Sequence, residues 1–570
     1  MTILDNLIIL LYFLAMLALG FWYRKKASQN LEAYFLGGKQ MHWLPLSMSS
    51  SVSTFDITGT MWVVSLLFLM GMKSMWIHWM WGILMGAFFM AYMGKWVRRS
   101  AVMTGAEWMV TRFGDDRAGK LARFSYAVMA ILFLTFMIGY AYQGIGKFAS
   151  VYIPMNPDVL ALIIIGSTTL YVVLGGLYSV VLTDVVQTVI LTFASILISA
   201  IAFMQITPEI LAQTLPQDWE SLWPVWETDI PGYEMFGLLV IVWVLKGMIG
   251  KSGGPGQMSD FQRFLAARND RDAAKLGGAW SFFLIVRWGM CMGIVLLALI
   301  GFSNVSDPEK VMPMVLQEFL PSGMKGLVIA GLLAAFMSTF SSTVNTAASY
   351  LVRDFWQPLT GQTSESHNLM RASYIATFAV VLAGMGIGAM WNSISDIWNW
   401  IMMALTSGIL IPNVFRWYWW RMNGWSYAIG VFVGIIMSFV VLFFDNAPMY
   451  VVFPWVVIPS LLACIMMSYL TKPTNSETLI TFYRTVRPFG AWGPIKRQSG
   501  LSEAELSLKS ESFGLTAINV LLGMIAISGY YLLPMYLVGH WFTYAGICLA
   551  FAGTATVLLY FTWYRNLPAE

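Results

Sequence analysis

About fifteen runs of mostly apolar residues recur along the chain, each long enough to cross a bilayer as a helix, which takes about 20 residues. They lie near 4–22, 46–70, 74–94, 121–149, 158–176, 180–205, 234–262, 276–302, 324–350, 370–390, 396–415, 426–444, 449–471, 513–535 and 541–563. In hydrocarbon each backbone N–H and C=O must be satisfied without water, so runs of this length predict a bundle of helices. Composition agrees: 58% of the 570 residues are hydrophobic and 11% charged, and the mean hydropathy is +0.68, far from the balance of a soluble domain. The chain therefore reads as an all-α polytopic membrane protein, with residues 1–570 forming a single membrane domain. Asp5 before the first run, without a basic region, reads as a retained first span.

Charge sets the expected orientation. Most of the 33 lysines and arginines fall in alternate connections: 24–39, 95–123, 251–275, 353–371, 416–421, 472–509 and Arg565. The opposite connections carry Lys73, Lys310 and Lys325, and the 207–233 loop has Glu209, Asp218, Glu220, Glu227 and Asp229 with no lysine or arginine. The positive-inside rule then puts the N-terminus on the periplasmic or extracellular side and the C-terminus in the cytoplasm of a cell membrane, a bacterial inner membrane on this reading. The basic loops are topology signals; neither a nucleic acid nor an obligatory protein partner is indicated.

Residues 331–346, GLLAAFMSTFSSTVNT, place Ser338, Thr339, Ser341, Ser342 and Thr343 in an otherwise apolar helix. Hydroxyls at membrane depth need partners, and a cage of oxygens without nitrogen or sulfur suits a hard cation such as Na+. The competing reading is that they bond back to their own helix or join helices together. Two runs also look broken. In LPLSMSSSVSTFDITGTMW, Pro45, the small hydroxyl residues and Gly59 weaken the helix where Asp56 enters the membrane. In VLKGMIGKSGGPGQMSDFQRF, glycines and Pro255 interrupt the seventh run. Interrupted spans in corresponding halves point to a carrier's binding site, because unwound backbone is tolerated where it lines a cavity. GKS at 250–252 resembles a phosphate-binding loop, but Leu245 stands where a glycine is needed, so ATP-driven transport is disfavoured.

Four segments carry a family resemblance: YFLGGKQMHWLPLSMS at 34–49, GGLYSVVLTDVVQT at 175–188, FQRFLAARNDRDAAK at 261–275 and GLVIAGLLAAFMSTFSSTVNTAASYLVRDFW at 326–356. In this order, across roughly 4–470, they resemble the sodium:solute symporter family of sodium-coupled glucose, proline and sialic acid carriers. The resemblance implies a LeuT-like five-plus-five inverted repeat working by alternating access. With 4–22 as an extra N-terminal span, the repeats would be 46–205 and 234–415, followed by C-terminal spans over 426–563 with a cytoplasmic loop at 472–512.

Ala335, Ser338 and Thr339 stand at i, i+3 and i+4, so one helix face offers a carbonyl and two hydroxyls. Aligning SVSTFDITG with the family pattern adds the carbonyls of Thr54 and Ile57, and the five together are similar to the family's principal Na+ site. Asp184 with Ser338, Ser341 and Ser342 resembles the pattern that some members use for a second Na+; Asp184 as an exit relay or an ion-pair partner is the alternative. One Na+, or two, is thus the expected coupling ion.

For the solute, the ionisable residues within the spans are Asp56, His78, Lys246, Lys251, Asp260 and Arg287, and such groups are functional hypotheses by default. Gln257 and Asn399 fall at or near family positions that present amides to substrate, His78 and Arg287 near sugar-contacting positions. Neutral hydrogen-bonding groups with surplus positive charge would suit a sugar or carboxylated sugar, a uronate or sialic-acid-like molecule. An amino acid or monocarboxylate is the alternative cargo, with a channel or transporter-like sensor behind it. His78 as an interfacial packing residue, Lys251 as a topology charge and Arg287 as a partner of Asp56 or Asp260 remain open. In the segment 398–425, Trp417 to Trp420 read as interfacial belt residues, while Trp398 or Trp400 approaches the cavity. Four histidines show no metal or triad pattern, so no enzyme is expected, and scattered Cys291, Cys464 and Cys548 read as packing residues.

Overall fold

Residues 1–27, 40–78, 83–100, 102, 105–172, 177–254, 258–302, 305–361, 367–444, 447–502, 505 and 512–568 are described by a computed structural model. Among them the structure is helical, with two isolated bridges, Met41 to Ala267 and Trp419 to Ala491, as its only β pairing. The principal helices, in chain order and leaving out some short ones such as Glu107–Phe113 and Val311–Phe319, are α1 (Ile3–Ala27), α2 (Trp43–Thr54), α3 (Ile57–Met70), α4 (Ile83–Phe88), α5 (Arg117–Ser150), α6 (Pro157–Val172), α7 (Leu177–Gln205), α8 (Phe236–Ser252), α9 (Met258–Ala266), α10 (Asp270–Phe283) and α11 (Ile285–Gly301). They continue with α12 (Met324–Tyr350), α13 (His367–Gly388), α14 (Ile394–Trp400), α15 (Leu410–Tyr418), α16 (Gly424–Val440), α17 (Met449–Leu470), α18 (Ser476–Val486), α19 (Gly493–Gln498), α20 (Phe513–Val538) and α21 (Phe542–Thr562).

Among the described residues ten helices are long and apolar enough to cross a bilayer, and an eleventh span is a bent pair, Ile394–Gly408 and Leu410–Tyr418, at 41°. Of the remaining apolar runs, the first is the 25-residue α1, and those at the two breaks appear as shorter helices, because a span that unwinds is no longer one continuous apolar cylinder. The bend follows a π-helical turn at Ile401–Leu405, a recognised cause of kinks.

Both expected breaks are present. The first falls at Phe55 and Asp56, between α2 and α3, and Pro45 is not its cause. Pro45 lies in the first turn of α2, where its missing N–H costs no helical bond. The second follows α8: Gly253 ends the helix, and Gly254 takes φ +104°, a left-handed conformation open to glycine. Gln257, one of the residues expected to meet substrate, lies outside the described residues.

The described part of the 472–512 connection, expected as a cytoplasmic loop, contains two helices. Its helices α18 and α19 bring Phe482 and Trp492 against a buried aromatic cluster containing Trp108 and Trp417. Trp492 donates its indole N–H to the Trp417 carbonyl at 2.8 Å. Arg112 is buried there and satisfies the carbonyls of Arg416, Trp419 and Met422 where the chain leaves α15. Trp417 is therefore not an interfacial belt residue: it is fully buried and donates to the Gly253 carbonyl at 3.0 Å, while Tyr418 donates to the Ser252 carbonyl at 2.8 Å. The two aromatics cap the orphan carbonyls that the broken end of α8 leaves.

Candidate functional site

The site begins at the first break. Phe55 leaves helical geometry at φ −91°, ψ 53°, and Asp56 then caps α3, its Oδ2 accepting the Gly59 N–H at 2.9 Å. A carboxylate at a helix N-terminus also faces the positive end of the helix dipole. Arg287, in the first turn of α11, spans the gap: Nη1 donates to the Thr54 carbonyl at 3.0 Å and Nη2 to Thr60 Oγ1 at 3.1 Å, with the guanidinium over the Phe55 ring at 5.3 Å. Trp280 Nε1 donates to Thr54 Oγ1 at 3.2 Å. The unwound turn is thus held by two donors of the span Asp270–Gly301, and the Thr54 carbonyl keeps one lone pair for another partner. Ile57 is the first residue of α3 and fully buried. Gly144 of α5 lets this corner close, since a Cβ there would stand 2.0 Å from Thr58 Oγ1.

The hydroxyl row of α12 divides by neighbour. Ser338 donates to Asp184 Oδ1 at 2.5 Å, and Thr339 donates both to the Ser53 carbonyl of α2 at 2.9 Å and to its own Ala335 carbonyl at 3.1 Å. Ser342 accepts from Arg263 Nη2 at 3.4 Å. Ser341 and Thr343 bond back along α12 to the carbonyls of Ser338 and Thr339, the purely local behaviour expected of hydroxyls in a membrane helix. Of the row, Ser338, Thr339 and Ser342 therefore reach beyond their own helix.

Asp184 of α7 collects the cluster. Its Oδ2 accepts from Ser49 of α2 at 2.5 Å, its Oδ1 from Ser338, and both the residue and Ser49 are wholly buried. Arg263 of α9 donates Nε to Ser49 Oγ at 3.1 Å and lies 3.5 Å from Asp260. Two elements that flank the breaks, α2 and α9, and the continuous helices α7 and α12 thus meet around one buried carboxylate. The donor set is entirely oxygen, from a carboxylate, hydroxyls and carbonyls that both helices present, which fits a hard monovalent cation and offers nothing to a soft one. A buried carboxylate ringed by hydroxyls also carries a desolvation cost that a bound cation would offset.

The expected solute residues do not form one set. His78 is fully buried, so it is not an interfacial residue; it lies edge-on to Trp62, with ring centroids 4.8 Å apart. Trp62 also contacts Trp243, over which Lys246 lies at 5.5 Å, and Trp398, the neighbour of Asn399. His78, Trp243 and Trp398 of the bent span thus meet at Trp62, just beyond the first break, with Lys246 lying on the Trp243 side. Tyr140 packs on Trp398 at 5.0 Å and shares a small crevice with Asp56 and Thr339. Arg287 instead serves the backbone of the break, and Asp260 and buried Lys251 belong to the Arg263 side.

Asn399 lines a vestibule of about 880 Å³, together with Tyr233, Trp391 and Trp400. Glu234, Asp307, Glu309 and Asp396 line it against a single Lys147. Glu309 ties it together, taking Lys147 Nζ at 2.5 Å and the Ile394 and Ser395 N–H groups at the start of α14 at 3.0 and 2.8 Å.

Sequence reasoning had not assigned Ser49, Arg263, Tyr140 or Gly144. Ser49 and Arg263 stand inside segments that carried the resemblance, and the pairing of a buried arginine with serine-rich helices was the available signal.

The model of the sodium:solute symporter family matches residues 34–437. Among curated proteins the chain is similar to the sodium/glucose cotransporter 4 of Danio rerio, 26% identical over 517 residues, covering 76% of this chain and 72% of that protein. It is also similar to the osmoregulated proline transporter of Bacillus subtilis (strain 168), 23% identical over 484 residues, covering 81% and 94%. Among solved structures, a substrate-bound, outward-open Na+-coupled sialic acid symporter superposes with a TM-score of 0.66 at 16% identity, over 83% of this chain and 99% of that one. At that identity the likeness establishes the fold, the LeuT-like all-helical transporter architecture.

Proposed function

Because the chain belongs to the sodium:solute symporter family, we propose that it is a Na+-coupled secondary carrier that imports a small organic solute, a sugar or carboxylated sugar, by alternating access. The observation that carries this reading is the buried Asp184 carboxylate, bonded to Ser49 of the broken span and Ser338 of the hydroxyl helix. One Na+ is held by the carbonyls of Thr54, Ile57 and Ala335 with the hydroxyls of Ser338 and Thr339; a second is held by Asp184 with Ser338, Ser341 and Ser342. Because Ser341 here bonds to its own helix, the second site requires its hydroxyl to turn.

Residues 46–205 and 234–415 act as the two repeats, with the N-terminus outside and the C-terminus in the cytoplasm. Na+ joins α12 to the break between α2 and α3 and so favours one arrangement of the two. Solute binds beside Trp62, within reach of His78, Lys246 and Asn399. Each ligand prefers the same conformation, so each raises the other's affinity by an equal factor.

The acidic vestibule favours a second reading of the cargo. Four carboxylates against one lysine would concentrate Na+ and repel a net anion, which suits a neutral sugar or a zwitterionic amino acid better than a uronate.

The test is uptake into proteoliposomes under an imposed Na+ gradient, with candidates chosen by a thermal-shift screen of sugars, uronates, amino acids and monocarboxylates with and without Na+. Transport that collapses with the gradient, and is lost in the Ser338→Ala, Thr339→Ala double variant, is the expected result. Uptake indifferent to Na+ would overturn the coupling, and wild-type Na+ dependence in the double variant would overturn the site.

A further inference from the structure

The C-terminal helices α20 and α21 pack beside α10 and leave between them a cavity of about 590 Å³ that none of the ion-site residues lines. Its walls are apolar, among them Ala279, Ile527 and Leu559, and no carboxylate lines it. Phe282 and Tyr560, which line it, are 65% and 52% exposed, on helices long and apolar enough to cross a bilayer.

One end of the cavity is different in character. Lys275 Nζ stands 6.0 Å from the Trp43 ring, and Arg271 lies over Tyr564 at 5.5 Å while donating to the Pro568 carbonyl at 3.1 Å. Trp563 closes the same end, its indole N–H on the Met90 carbonyl at 2.9 Å. Tryptophan and tyrosine beside lysine and arginine mark the level of lipid headgroups, where long basic side chains carry their charge to the interface. The hollow is therefore apolar at membrane depth and cationic at its mouth.

We infer that this cavity binds an anionic phospholipid, an acyl chain lying against Ala279, Ile527 and Leu559 and the phosphate meeting Lys275 and Arg271. An apolar pocket between spans needs an apolar occupant, and hydrocarbon chains are the surrounding solvent. The charged mouth then selects among lipids: basic pockets between helices favour anionic headgroups, each nearby lysine or arginine being worth roughly a fivefold gain in binding. Because the cavity joins α20 and α21 to α10, which runs on into α11 and Arg287, the lipid also fastens the C-terminal pair to the element that braces the first break.

The experiment is native mass spectrometry of the purified, delipidated full chain with dioleoyl phosphatidylglycerol, dioleoyl phosphatidylethanolamine or glycerol phosphate added. Phosphatidylglycerol should be retained at least about tenfold better than phosphatidylethanolamine, and glycerol phosphate, which has no chains, not at all. Lys275→Ala should cut phosphatidylglycerol retention about fivefold, and Ala279→Trp, which fills the groove, should remove it. Equal retention of the two lipids by the wild type would overturn the proposal. So would wild-type retention in a folded Ala279→Trp variant, or retention of glycerol phosphate equal to that of phosphatidylglycerol, which would reduce the site to a surface anion contact.

Discussion

Arg263 is a cation built into the neighbourhood where a Na+ is proposed to bind, and its removal should tighten Na+ binding. Arg263 Nε reaches Ser49 Oγ at 3.1 Å, and Ser49 Oγ reaches Asp184 Oδ2 at 2.5 Å, which puts the guanidinium charge roughly 5 Å from the carboxylate. At an effective dielectric of 20, unit charges at that separation interact by about 3 kcal/mol. An ion on the Ser338 side of Asp184 is farther off, so the repulsion it feels falls to about 2 kcal/mol. Arg263→Gln deletes that repulsion and also removes the nearer of the two cations facing Asp260, which lies 3.5 Å from the arginine and keeps only Lys251, and this adds attraction for a cation. The expected result is an increase in Na+ affinity of at least about tenfold.

The assay is a NaCl titration at constant ionic strength, read by melting temperature or intrinsic tryptophan fluorescence, with KCl as the control. Arg263→Lys retains the charge and should leave the midpoint within about threefold of the wild type. A folded Arg263→Gln protein whose Na+ midpoint is unchanged or weaker would refute the reasoning, because the arginine would then be a ligand-ordering brace and not a competitor.

Three further outcomes follow from the geometry. Thr339→Val keeps the side-chain shape but removes the hydroxyl between α12 and the Ser53 carbonyl; Na+ binding should weaken by about threefold to tenfold, and Thr339→Ser should restore it in the same titration. Gly144→Ala would drive a Cβ into Thr58, costing about 1–3 kcal/mol by overpacking, visible as a lowered melting temperature together with lost uptake. Burial raises the Glu309 carboxyl, yet Lys147 and the Ser395 and Ile394 amides outweigh it and hold the group below the usual glutamate range. A depressed carboxyl stabilises the fold above its unfolded-state range and loses that contribution as pH falls through its folded value, so acidification below the usual glutamate range should lower the wild-type melting temperature more than that of Glu309→Gln.

What the sequence disclosed and what it hid have physical reasons. The breaks were legible because small hydroxyl residues and clustered glycines are poor helix formers wherever they stand, and GKSGGPG announced the second one directly. The position of the first was not, because Pro45 looked like the breaker while the turn is made at Phe55 and Asp56 by a cap and by Arg287, more than two hundred residues away in the chain. Ser338 and Asp184 were found as a pair through motif resemblance, and they are bonded. Ser49 and Arg263 were not assigned, since their roles arise from α2 and α9 meeting at one carboxylate. Trp417 departs from the belt expectation for the same reason: its local surroundings resemble a belt, while its partner is the carbonyl at the broken end of α8.

Equilibrium binding of radioactive Na+ to the purified chain, without any solute, tests the central claim most directly, because Ser338 belongs to both proposed ion sites. The wild type should bind Na+ saturably, and Ser338→Ala, at unchanged helical content, should lose that binding; saturable binding in Ser338→Ala at the wild-type midpoint and stoichiometry would place the ion elsewhere and contradict the account.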